Sequence, residues 1–233
     1  MPSEYKAIIA NLQDTVCDLS DFCKTFGIVD GRTLADVADL IKTIAQFRRM
    51  LRRAVLLFWR GDDDLFSFID RMIYAIDEQY RRAWREGMRE INLDPARDMR
   101  PEWEGVLQAR IEQEYNYVLD LAQAVESARN ENKPVDPLYS RVEIWVNRYN
   151  EVKDLAKTTC GADRRFVFRL GGAIDHCDTC QWLDGVVAFG SVWRDSGVMP
   201  QSPELICGGY HCQCRLEETD APITDKQPQD APR

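Results

Sequence analysis

Histidine is scarce in this chain. There are two in 233 residues, His176 and His211, and each sits beside a cysteine. That scarcity excludes several catalytic centres. A zincin needs His-Glu-x-x-His, and a zinc deaminase needs His-x-Glu ahead of its cysteine pair, whereas His176 is followed by Cys and Asp. A Ser-His-Asp arrangement would need a histidine free of the thiols. The phosphate-binding pattern Gly-x-x-x-x-Gly-Lys-Ser/Thr is also missing. Long apolar runs are missing too: the longest, Ala54–Trp59, is six residues, against roughly 20 for a membrane-crossing helix. Met1 to Lys6 show no basic stretch leading into an apolar one, so no secretory leader is expected, and the chain is expected to fold in the cytoplasm where it is made.

Positive charge is in deficit, with 30 Lys and Arg against 39 Asp and Glu. A net charge of −9 argues against a dedicated nucleic-acid binder, whose affinity comes mainly from neutralising phosphates. One stretch departs from this balance. Between Asp39 and Asp62 no acidic residue occurs, while Lys42, Arg48, Arg49, Arg52, Arg53 and Arg60 are basic. The stretch reads either as a solvated arginine face or as a basic helix that touches nucleic acid or an acidic partner through Arg48, Arg49, Arg52 and Arg53.

What is abundant is helical periodicity. Tyr5 to Phe22, Val37 to Leu51, Leu65 to Met88, Val106 to Val125 and Val142 to Ala156 each carry apolar residues at three- and four-residue steps. Phe26–Gly31, Gly61–Asp64, Asn92–Pro95 and Asn130–Pro137 supply the breaks. Five helices joined mostly by short loops predict a helical bundle or an elongated helical array. After Cys160 the pattern changes: Arg165–Leu170 and Val186–Phe189 read as short strands, with Gly171-Gly172 and Gly208-Gly209 as turns. The chain is therefore expected to be mainly α, ending in a small α+β zinc-binding module. The expected divisions are residues 1–64, an N-terminal helical segment that can bind a partner; 65–160, a helical domain; 161–216, a cysteine-rich module; and 217–233, a flexible acidic tail.

The eight cysteines are unevenly placed, and five of them, Cys177, Cys180, Cys207, Cys212 and Cys214, fall close together. In a cytoplasmic chain, clustered thiols with Cys-x-x-Cys spacing point to metal more than to disulfides. Two intervening residues let one tight turn aim both sulfurs at a single ion, and a distant second pair closes the tetrahedron that structural zinc prefers. Cys177, Cys180, Cys212 and Cys214 are the first choice of ligands, with Cys207, His211 and His176 as alternates. An Fe–S cluster, a redox pair and inert buried thiols are the competing readings. About 55 residues build only a small core, so a staple is physically expected. Mutating Cys177 or Cys180 to Ser is expected to unfold 161–216 and leave the helices formed.

Asp175–Leu216 resembles the C-terminal cysteine motif of phage head morphogenesis proteins, the minor head proteins related to the F protein of phage Mu. The matching parts are Cys177-x-x-Cys180, Leu183-Asp184-Gly185-Val186-Val187, Pro200-Gln201-Ser202-Pro203 and Cys212-Gln213-Cys214-Arg215. Arg81–Glu90 and Arg141–Ala156 also resemble the helical part of such proteins. Where many relatives have His-Pro, this chain has Ser202-Pro203 and then an extra Cys207-Gly-Gly-Tyr-His211, which leaves the third and fourth ligands open. The resemblance implies a non-enzymatic virion component at the head near the portal, present in several copies. It would act on portal or capsid proteins in assembly or DNA delivery, with packaged DNA nearby and a structural zinc ion. The alternative is a nucleic-acid-binding zinc protein using the basic stretch 42–60.

Overall fold

The computed structural model describes residues 34–172, 175–209 and 212–233. The predicted helix over 5–22 lies outside them, as does His211. The first part of the described chain is four long helices and one short one: α1 (Leu34–Arg60), α2 (Leu65–Glu90), α3 (Pro95–Asp98), α4 (Pro101–Asn130) and α5 (Asp136–Cys160). All six pairs among α1, α2, α4 and α5 are in contact, so the long helices form a bundle rather than an extended array.

Local chemistry sets the helix ends. Gly61 takes a positive φ of 79° to end α1. Asp64 then accepts a 2.7 Å hydrogen bond from the Ser67 N–H as N-cap of α2, and this bond holds the Asp64 carboxyl below its ordinary pKa. Pro95 and Pro101 each begin a helix, where the missing N–H costs nothing.

Inside the bundle, Ile44, Phe47, Leu51, Val55 and Phe58 of α1 meet Phe68, Met72, Ile76, Tyr80 and Trp84 of α2, Ile111, Val118 and Val125 of α4, and Val142, Trp145, Tyr149 and Val152 of α5. Helices α2 and α5 approach most closely at Gly87, where a Cβ would lie 2.3 Å from the Lys153 carbonyl oxygen. From Arg148 to Thr159, α5 is buried on every side. It is the central helix of the molecule.

The second part packs on the C-terminal half of α5. It holds β1 (Arg165–Arg169), α6 (Asp178–Leu183), β2 (Val187–Phe189), α7 (Gly190–Ser196) and β3 (Arg215–Glu218). The three strands form an antiparallel sheet in the order β2-β1-β3, with Phe166 opposite Ala188 and Phe168 opposite Leu216. Phe166, Phe168, Leu183, Trp193, Val198, Leu205 and Leu216 make its core, and the Trp193 indole N–H donates to the Phe166 carbonyl. The small module thus has an aromatic core of its own.

Two parts of the sequence reading need correction. Strand β3 was not foreseen, because Leu216 is the only apolar residue in it. Nor does 217–233 trail away as a free tail. Thr224 pairs with both the N–H and the carbonyl of Val187 along the open edge of β2, Pro228 and Ala231 are buried, and the Pro232 carbonyl accepts from Thr179. Unpaired strand edges are commonly covered in this way.

Candidate metal centre

Three segments bring the cysteines together. Cys177 is the N-cap residue of α6 and Cys180 lies in its first turn, one helical repeat away, so the two sulfurs share a face. Cys207 sits in a loop of successive turns held by positive φ at Gln201, Gly208 and Gly209. A Cβ on Gly209 would lie 2.2 Å from the Gln201 carbonyl oxygen, a contact that only glycine permits. Cys212 and Cys214 lead into β3, and the Gln201 side-chain amide donates to the Cys212 carbonyl at 2.8 Å. Thr179, between the α6 cysteines, accepts from the Ile206 N–H and donates to the Pro232 carbonyl. One buried hydroxyl therefore ties the α6 turn to the Cys207 loop and to the C-terminus.

The sulfurs of Cys177, Cys180 and Cys207 lie within 4.8 Å of one another, and so do those of Cys180, Cys212 and Cys214. Cys180 belongs to both groups and is 3.9 Å from Cys212. With metal–sulfur bonds of about 2.3 Å, the edge of a tetrahedral thiolate site is about 3.8 Å. The cysteine groups therefore fit a metal ion. Cys180 and Cys214 are buried, while Cys177, Cys207 and Cys212 are half-buried. The Nδ1 atom of His176 is 3.8 Å from the Cys214 sulfur.

Packed this closely, the thiols shift one another's ionisation. Hydrogen bonds from Cys180 and Cys212 hold the Cys214 thiol down to about 4, and the Gly171 N–H helps. Bonds from Cys180 and Cys207 lower Cys212, whereas Cys180 itself is pushed up by its contacts with Cys212 and Cys214. Cys212 also raises Cys207, against the pull of the Gly209 N–H. Gly171 stands close to Cys214 for a steric reason: a Cβ there would lie 2.0 Å from the Gln213 carbonyl oxygen.

Of the first-choice set, Cys180, Cys212 and Cys214 form one group, and Cys177 falls in the other with Cys180. Cys207, an alternate, joins Cys177 and Cys180, because the turns at Gly208-Gly209 carry its sulfur back to α6. His176 lies beside Cys214 but is in neither sulfur group, and His211 lies outside the described residues. Cys160 stands apart at the junction of the two cores, its thiol pushed up to about 12 by burial. The basic stretch is partly spent inside the protein: Arg48 and Arg52 both pair with Glu143 of α5, at 2.9 and 2.8 Å. Arg49 and Arg53 remain exposed.

The apolar pattern missed a buried ion network. Glu114 of α4 accepts from Arg110, Arg148 and the Trp145 indole, and Arg110 also bonds Glu151. Its sequence signals are the i,i+4 spacing of Arg110 and Glu114 and the i,i+3 spacing of Arg148 and Glu151. Compared with family models, curated proteins and solved structures, the chain has no match.

Proposed function

We propose that this chain is a non-enzymatic structural protein, a minor head component of a phage particle, whose C-terminal module is stapled by zinc. The observation that carries the reading is the donor set. Among the described residues, both groups that can hold an ion consist of cysteine sulfur alone. Thiolates satisfy zinc as a closed structural site, whereas zinc catalysis keeps a position open for water or substrate. Bound there, zinc would contribute on the order of 10–16 kcal/mol of apparent folding free energy. The cysteines would orient and close the site, while Thr179 and the Gly171 and Gly209 backbones hold the ligand loops in register.

The phage assignment rests on the resemblance of the cysteine motif over 175–216. An acidic helical body suits docking on a ring of portal or capsid subunits, in several copies per particle, and its charge resists sticking to packaged DNA. The direct test is co-purification of the tagged full chain with portal rings or with heads assembled from the same phage. Recovery of the chain in those particles is the expected result; its complete exclusion from them contradicts the assignment. The nucleic-acid alternative retains Arg49 and Arg53 as free contacts and predicts appreciable DNA binding that falls steeply between about 50 and 200 mM salt.

A further inference from the structure

A single tetrahedral ion would need four sulfurs mutually at about 3.8 Å, and the cluster does not present one such set. It presents two triangles of sulfur, Cys177/Cys180/Cys207 and Cys180/Cys212/Cys214, that share a vertex. Each triangle is one face of a tetrahedron. Cys212, at 3.9 Å from Cys180, ties the second triangle to the first, and the Nδ1 atom of His176, at 3.8 Å from Cys214, lies beside the second. We propose that the centre holds two divalent ions that share Cys180 as a bridging thiolate. Cys177 and Cys207 are then terminal on one ion, and Cys212 and Cys214 on the other.

The inference rests on the zinc-staple reading and deepens it. Charge favours the second ion. Five thiolates around one divalent cation leave a net −3, and around two they leave −1. Among the described residues, Arg215, next to Cys214, is paired with Glu217 at 2.7 Å, while Asp175 and Asp178 flank the first cysteines. Two ions also give every clustered thiol a partner, where one ion leaves a cysteine idle.

The test is metal stoichiometry of the full chain. Zinc per chain is measured by elemental analysis of protein expressed with zinc. The metal-free chain is then titrated with Co(II), following the thiolate-to-cobalt absorption band. Two zinc ions per chain and a band that saturates at two equivalents are expected. Cys214→Ser should drop to one ion with the module still folded, and Cys160→Ser should keep two. One ion per wild-type chain, or an unchanged count in Cys214→Ser, overturns the bridged pair and leaves the staple intact. A chain that binds no metal overturns both.

Discussion

Glu114 shows how a single charged residue can organise a helix bundle. It is fully buried, yet its carboxylate accepts from two guanidinium groups and an indole at once. Arg110 lies 5.6 Å from the centre of the Tyr80 ring, and Arg148 lies 4.7 Å from that of Tyr117, so aromatic faces complete the packing of both cations. Removing the charge of Glu114 leaves two buried arginines to share the single carboxylate of Glu151, and breaking a buried pair typically costs about 3–5 kcal/mol. Glu114→Gln is therefore expected to lower the unfolding free energy by that amount, seen as a lower urea midpoint with an unchanged m value. A shift below about 1 kcal/mol would show that the network contributes little. Among the thiols the same scale separates two environments: Cys160 sits between the two apolar cores, while Cys180 is shared by both sulfur groups.

At the scale of elements, α5 carries both halves of the molecule. Toward the bundle it presents Val142, Trp145, Tyr149 and Val152; toward the sheet it presents Asp154 and Lys157. The Lys157 ammonium donates to the Leu216 carbonyl at 2.5 Å, and Asp154 accepts from the Leu216 N–H at 3.2 Å, so β3 is docked by its backbone. Burial alone would push the Lys157 pKa down, but Asp154 and Glu90 outweigh it and hold it above the ordinary lysine value. Because the folded value is raised, this stabilisation is fully present below the unfolded value of about 10.4 and is lost as pH rises beyond it. The stability gap between wild type and Lys157→Met, measured by urea unfolding, is expected to stay constant from pH 7 to about 10 and to shrink above. A gap that shrinks between pH 7 and 9 contradicts the assignment.

The long helices were legible in the sequence because their buried faces are mostly apolar, as in Val142, Trp145, Tyr149, Val152 and Ala156. Phase was read less well. Leu65 and Tyr115 were placed on the apolar stripes but are exposed; on α4 the buried face includes Arg110 and Glu114, which no hydrophobic pattern registers. Strand β3 and the docked C-terminus were hidden because backbone hydrogen bonds hold them together with only isolated apolar residues, Leu216, Pro228 and Ala231, that form no periodic pattern. In the candidate site, the Cys-x-x-Cys turn could be read from spacing alone. The place of Cys207 could not, since it depends on consecutive positive-φ turns that bring a distant loop back onto α6.

Across the whole molecule two cores meet along α5, with Ile91, Leu93, Cys160 and Met199 at the seam. Among the described residues no helix is long and apolar enough to cross a membrane. The helical core is the larger of the two, while the smaller one holds the sulfur cluster and is wrapped by the C-terminal segment. If metal supplies a substantial part of the module's folding free energy, the two parts should respond differently to its removal. Hydrogen exchange of the full chain with and without a strong chelator tests this most directly. Amides of 161–233 should lose protection when metal is stripped and regain it on zinc addition, while those of 68–150 stay protected throughout. Identical protection of 161–233 in the stripped and loaded chains would contradict a metal-stapled module.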